Sequence, residues 1–257
     1  FYSRANVREA YGAGGWSTPQ TLPAPVALGS WPRIVADPYG MLHVVYAVPL
    51  NEGRGIYYTR SIDGGEGWSE AGLVFDAAAE DWVMVDHPTL AVDEEGTVHV
   101  AWVRASLPGS FPPQGIYYAR STDGGQAWSK AVLIAEGAYD WPQIVATLAG
   151  QVHLLWNDAS GNRGWWQQWS TDGGEHWTRS TRVRGFRDAP GPIGAAADGS
   201  GGLHLVGLSH DDVGEPALAY TTWNGSEWRA QEMFRLGPGS RIKPGVGMAL
   251  HLETGRL

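Results

Sequence analysis

The sequence predicts an all-β fold, a β-propeller of four-stranded antiparallel blades, on three observations. A short Ser/Asp/Gly/Trp turn recurs along the chain. The segments upstream of each turn repeat in phase with it. The composition is that of short strands and tight turns: 36 glycines, 16 prolines, 14 tryptophans and 10 tyrosines, against 5 phenylalanines, in 257 residues.

Three copies of the turn are nearly identical: Ser61-Ile-Asp63-Gly-Gly-Glu-Gly-Trp68, Ser121-Thr-Asp123-Gly-Gly-Gln-Ala-Trp128 and Ser170-Thr-Asp172-Gly-Gly-Glu-His-Trp177. A fourth, Thr221 to Trp228, keeps Gly225 and Trp228 and reads as having Trp223 in the place of the aspartate. A trace remains at Gly14-Gly15-Trp16. The tryptophans at 16, 68, 128, 177 and 228 are spaced by 52, 60, 49 and 51 residues, the period of a four-stranded blade.

Each unit divides into four strands. Strand A follows a proline: Pro32, Pro88, Pro142, Pro192 and Pro244. Strand B carries a Gly-x-Leu/Val-His pattern, with His43, His99, His153 and His204. Strand C is Ile56–Arg60 or Ile116–Arg120, and strand D follows the tryptophan, as at Ala131–Ile134. The runs are short, β-branched and aromatic, bounded by glycine or proline, and no helical periodicity appears. Phe1-Tyr2-Ser3-Arg4 matches strand C, so the N-terminus is expected to supply strands C and D of one blade and the C-terminus strand A and the start of B. Five blades result if these halves combine; six result if sequence is missing from the ends. The chain is read as one domain, residues 1–257, and is expected to be a partial or processed chain, because it begins at Phe1 and stops in mid-strand.

The Ser-x-Asp-x-Gly-x-x-Trp pattern resembles the Asp-box, or bacterial neuraminidase repeat, of the sialidase superfamily. The resemblance covers essentially the whole chain. It implies that the boxes form the turns between strands C and D, on the rim away from the active-site face. Asp63, Trp68, Asp123, Trp128, Asp172, Trp177, Gly225 and Trp228 are therefore assigned to structure. Their carboxylates accept turn amides, their glycines take backbone angles closed to other residues, and their tryptophans pack beneath the turn. The four strand-B histidines are also assigned to structure, since each lies in a separate blade.

In sialidase-like propellers the D-to-A and B-to-C loops converge at the central channel. The residues flanking each strand-A proline are thus the ligand-binding candidates: Trp31, Arg33, Asp86, His87, Asp140, Trp141, Arg187, Asp188 and Lys243. Trp31 and Trp141 can stack on sugar rings, while Arg33, Asp86 and Asp140 can bond hydroxyls or carboxylates. The B-to-C loops at 51–54, 107–114, 157–163 and 209–215 border the same face. Arg182 and Arg184 are read as edge-strand charges that discourage pairing with another sheet.

Family sialidases use three arginines, a tyrosine nucleophile with a glutamate, and an aspartate acid/base. Trp31-Pro32-Arg33-Ile34-Val35 resembles the motif of the first arginine but lacks its following proline. The other two arginines and the Glu–Tyr pair have no assignable positions, so the catalytic residues are unknown. The expectation is a non-catalytic or degenerate sialidase-like propeller that binds glycan or protein at its channel face. An exo-sialidase-type glycoside hydrolase and a structural subunit of a larger assembly are the alternatives.

The remaining composition sets limits. A net charge of −9 and no basic face argue against nucleic acid. The 16 arginines to 2 lysines reflect genome composition as readily as anion binding. Without cysteine there is no disulfide, thiolate metal site or thiol nucleophile. No metal or cofactor is expected, and no apolar run is long enough to be a transmembrane segment. An extracellular, periplasmic or cell-surface location follows from the resemblance alone.

Overall fold

The computed structural model describes residues 1–27, 29–106, 114–137, 139–147, 150–158, 164–183, 193–229 and 232–235. Sixteen strands occur among them, with one short 3-10 turn at Ala13–Gly15. The first sheet holds β1 (Ser30–Ala36), β2 (Leu42–Val48), β3 (Gly55–Ser61) and β4 (Gly72–Asp76). The second holds β5 (Met84–Val92), β6 (Val98–Ala105), β7 (Gly115–Ser121) and β8 (Val132–Glu136). The third holds β9 (Tyr139–Ala146), β10 (Val152–Asp158), β11 (Gly164–Ser170) and β12 (Thr181–Arg182). The fourth holds β13 (Ile193–Ala197), β14 (Leu203–His210), β15 (Pro216–Trp223) and β16 (Glu232–Arg235).

Each sheet is an antiparallel meander in sequence order. The first strands lie side by side, β1 against β5, β5 against β9 and β9 against β13. Four such sheets among the described residues therefore lie side by side around a shared channel. Between them, alternate strand residues such as Ile56, Val100, Trp102, Leu154 and Trp156 are almost wholly buried. Among the described residues no helix is long and apolar enough to cross a membrane.

The box turns join one blade to the next. Ser61 Oγ accepts the Gly65 amide at 2.8 Å and donates to Asp63 at 2.7 Å, and Asp63 accepts the Gly67 amide at 2.9 Å. The same bonds recur around Asp123 and Asp172. Sequence reading placed Trp68, Trp128 and Trp177 beneath the turn, without naming a partner. They are half-buried and packed edge-on against a tyrosine of the preceding blade: Tyr2, Tyr58 and Tyr118, with ring centres 5.1, 5.4 and 5.0 Å apart. A Cβ on Gly65, Gly125 or Gly174 would collide with that tyrosine, so glycine is required there. Arg4, Arg60 and Arg120 of the preceding unit donate to the carbonyls of Gly64, Gly124 and Gly173. The N-terminal segment thus docks as a strand C, as expected, and is held by bridges from Tyr2 to Gln20 and from Ala5 to Trp16.

The fourth turn differs from its sequence alignment. Trp223 pairs with Leu203 in the register that Ser61 holds opposite Leu42, so it occupies the serine position and not that of the aspartate. The turn is two residues shorter, and Asn224 Oδ1 takes over the acceptor role for the Ser226 and Glu227 amides. The facing residues change with it. Gln167 replaces the tyrosine and accepts from Trp228 Nε1 at 2.8 Å, while Trp169 replaces the arginine and packs on Trp223.

The strand-B histidines are internal ties. His43, His99 and His204 each bridge a tyrosine hydroxyl, at 2.6–2.7 Å, to an aspartate six residues earlier. His153 bridges Gln167 and Gln151 instead; its burial without a carboxylate partner lowers its pKa to about 4.

Candidate functional site at the channel mouth

Strand A was expected to begin after its proline. In three blades it runs through it: β1, β5 and β9 start before Pro32, Pro88 and Pro142. The register slips there, between Ser30 and Arg33, between Asp86 and Thr89, and opposite Leu155 to Asn157. Proline has no N–H to give the ladder, and an extra residue in a bulge is where a strand tolerates it.

The residue before each of these prolines is Trp31, His87 or Trp141. They have φ of 50°, 45° and 53°, and only two other non-glycine described residues, Asn51 and Asp81, have positive φ. Bulky side chains rarely enter the left-handed region, and a following proline favours extended backbone. Three equivalent outliers on adjacent inner strands are costly, at about 1–3 kcal/mol each. The bulges turn the three rings toward one another. Ring centres are 4.5 Å apart for Trp31 and His87, 4.1 Å for His87 and Trp141, and 5.4 Å for Trp31 and Trp141.

Acidic groups hold this cluster. Asp86 accepts the His87 amide at 3.0 Å, and Asp140 accepts the Trp141 amide at 2.8 Å. Asp140 also pairs with His87 Nδ1 at 2.8 Å, across the junction of the second and third blades. His87 Nε2 is enclosed and has no partner among the described residues. Burial, reinforced by the charge of Asp140, pushes the Asp86 carboxyl upward, against the opposing pull of His87.

Beyond the prolines a channel of about 340 Å³ runs between the inner strands, with Arg33, Thr89, Gln143 and Ile193 as its first layer. Thr89 Oγ1 accepts the Ile144 amide, while Gln143 Nε2 is buried without a partner among the described residues. Arg33 has no ion pair or hydrogen bond among them, and burial lowers its pKa. An unpaired guanidinium offers a planar donor fork suited to a carboxylate or sulfate.

Five of the nine sequence candidates, Trp31, Asp86, His87, Asp140 and Trp141, thus meet at the mouth, and Arg33 lines the channel two residues further along β1. Arg187, Asp188 and Lys243 lie outside the described residues, as do loop positions 107–113 and 159–163. In the 51–54 loop Arg54 is used internally, donating to the carbonyls of Trp82 and Asn51. In the 209–215 loop Asp211 caps its own turn and pairs with Arg235. Thr89 and Gln143 were overlooked, although each holds the post-proline position that singled out Arg33. The boxes lie at the opposite ends of the strands, after the last residues of β3, β7 and β11. No cluster of three metal-ligating side chains occurs among the described residues.

Radial four-stranded sheets around a channel, with a polar and aromatic mouth, define a β-propeller with a candidate small-ligand site. No protein-family profile and no curated protein sequence matches the chain. Solved structures do match in fold. The Hadza microbial sialidase is 23% identical with a TM-score of 0.57, over 80% of this chain and 47% of that one. The Penicillium chrysogenum α-L-arabinanase complexed with arabinobiose is 19% identical with a TM-score of 0.60, over 84% and 69%. A PL25 ulvan lyase bound to -[GlcA(1-4)Rha3S]- is 10% identical with a TM-score of 0.58, over 87% and 59%. The fold is therefore that of a sialidase-like propeller, and the chain spans about half the length of the sialidase it matches.

Proposed function

We propose that this chain binds a glycan at the channel mouth, with a sugar seated against Trp31 and Trp141 and an anionic substituent directed to Arg33. The observation that carries this reading is the convergence of three left-handed, pre-proline aromatic residues on adjacent strands. Backbone strain of this kind persists where a binding or reacting geometry needs it. Aromatic faces beside buried polar groups suit a sugar ring, whose CH face is apolar and whose edge is polar. A half-buried cation without a partner among the described residues favours acidic sugars over neutral ones.

The fold likeness agrees with this. The lyase neighbour holds a glucuronate-containing repeat, and the arabinanase neighbour an arabinobiose. The box turns and strand-B histidines are consumed by internal bonds, which leaves the channel mouth as the place where function concentrates. An extracellular, periplasmic or surface setting, where glycans are met, belongs to the same proposal.

A glycan array with sialylated, uronate-containing and neutral members tests it. Binding is expected to favour acidic members and to lose that preference in Arg33→Ala. Retention by Arg33→Ala of the full acidic preference would remove Arg33 from the site. Absence of any glycan binding would leave the structural-subunit alternative, for which a stable copurifying partner is the mark.

A further inference from the structure

We propose that the channel level formed by Arg33, Thr89 and Gln143 receives a sulfate ester of the glycan seated at the mouth. The inference rests on the glycan-site reading and names its anionic substituent.

The repeat puts the three side chains at one level. Each follows the bulge proline of its strand, and they hold equivalent registers, opposite Val45, Ala101 and Leu155. Strand β5 contacts both β1 and β9. The Ile144 amide donates to Thr89 Oγ1 at 3.3 Å, which ties β9 to β5 at this height. All three residues line the one cavity of about 340 Å³. Ile34, next in that lining, is 50% exposed, so solvent reaches the cavity.

The level holds donors and no counter-charge. Arg33 has no hydrogen bond or ion pair among the described residues. Thr89 Oγ1 already accepts, which leaves its proton to give. Gln143 Nε2 is enclosed without a partner among the described residues, and a half-turn about Cγ–Cδ exchanges the two ends of that amide. No aspartate or glutamate stands among the described lining residues.

Shape, charge and depth select a sulfate ester. Donors on three separate strands suit the three outward oxygens of a sulfate, whereas a planar carboxylate is satisfied by one guanidinium alone. A sulfate ester carries one negative charge and no proton, which Arg33 balances. A phosphate ester carries about −1.5 to −2 charge at neutral pH and would need a second cation, which the described lining lacks. The level lies two residues beyond Trp31, His87 and Trp141, up to roughly 6–7 Å deeper along the strands. The Thr89 hydroxyl sits on its β-carbon and cannot reach back to the mouth. A carboxylate borne on a ring carbon stays close to the ring. A sulfate on a primary alcohol is set off by a further carbon and an oxygen, and so reaches the level.

The test sets the whole chain against two matched pairs: chondroitin with and without 6-sulfate, and a galactan with and without 6-sulfate. Both members of the first pair carry a carboxylate and neither member of the second does. Affinity is read by titration calorimetry. At least one sulfated member should bind about ten- to a hundred-fold more tightly than its unsulfated twin. Arg33→Met should erase that difference. Gln143→Glu, which sets a carboxylate in the same level, should erase it too and leave affinity for the unsulfated twin as in the parent. Equal affinity within both pairs, or a sulfate preference kept by Gln143→Glu, overturns the inference and leaves the glycan site standing. A preference for both chondroitins over both galactans, with no gain from sulfate, makes Arg33 a carboxylate site and also overturns it. Failure of all four polymers to bind overturns the inference together with the glycan reading. A melting temperature raised more by sodium sulfate in the parent than in Arg33→Met would then mark a site for the free ion only.

Discussion

Replacing Trp31 by glycine should leave a more stable protein than replacing it by alanine, by about 0.5–1 kcal/mol. Both changes delete the same ring, so its lost packing cancels in the comparison. What remains is the backbone at φ 50°. A left-handed conformation costs an L-residue about 1–2 kcal/mol, and Pro32 adds to the disfavour. Glycine escapes that cost but loses about 0.5–1 kcal/mol more than alanine in chain entropy on folding. The difference favours glycine, the reverse of an ordinary strand position. The control is Ile34, half-exposed on the same strand and without a positive φ, where alanine should be the more stable replacement. Urea unfolding of the four variants reads the sign directly. In a chain of this size 1 kcal/mol moves Tm by about 2–4 °C, so thermal melts give the same order. His87 and Trp141 should behave as Trp31 does. If alanine equals or exceeds glycine at all three positions, the strained mouth does not exist and the site built on it fails.

Other outcomes follow from the same contacts. A double-mutant cycle on Tyr118 and Trp177, read by urea unfolding, should give a coupling of about 0.5–1.5 kcal/mol, while Tyr118 with Trp68, which do not touch, should give none. The pKa of His153 is held to about 4 in the fold, against 6.5 when free. The unfolded chain then binds the extra proton between these values. Stability is full above about 6.5 and falls as pH drops to about 4, by up to about 3 kcal/mol. His153→Gln should flatten that part of a Tm-versus-pH profile. Arg33→Met removes a half-buried charge that has no partner among the described residues, and should raise stability by on the order of 1 kcal/mol while removing the preference for acidic glycans. A calorimetric melt and a binding titration on one preparation check both.

The architecture was legible because its signals are local. Serine, aspartate and glycine of a box meet within five residues, and the alternation of short apolar strands shows directly in the sequence. The other half of each junction was not legible, because Tyr58 and Tyr118 lie 70 and 59 residues before Trp128 and Trp177. Only the packing of one blade against the next brings them together. The fourth box misled by its tryptophan. Aligning on Trp228 hides a two-residue shortening that the strand register exposes at once. At the channel, the repeated proline was enough to group Trp31, His87 and Trp141. Their left-handed backbone and the His87–Asp140 pair were hidden, since a bulge leaves no distinct sequence mark and the pair spans two blades. Gln143 and Thr89 were missed because neither is charged or aromatic.

Isothermal titration of the parent and of Trp141→Ala with one acidic oligosaccharide selected from the array is the most direct measurement of the channel-mouth claim. The ring change should weaken binding about tenfold or more, a loss of at least ~1.4 kcal/mol. Trp177→Phe, on the opposite face, should leave affinity unaltered. Equal affinity for the parent and Trp141→Ala, or a loss confined to the Trp177 change, would place the ligand elsewhere and contradict the account.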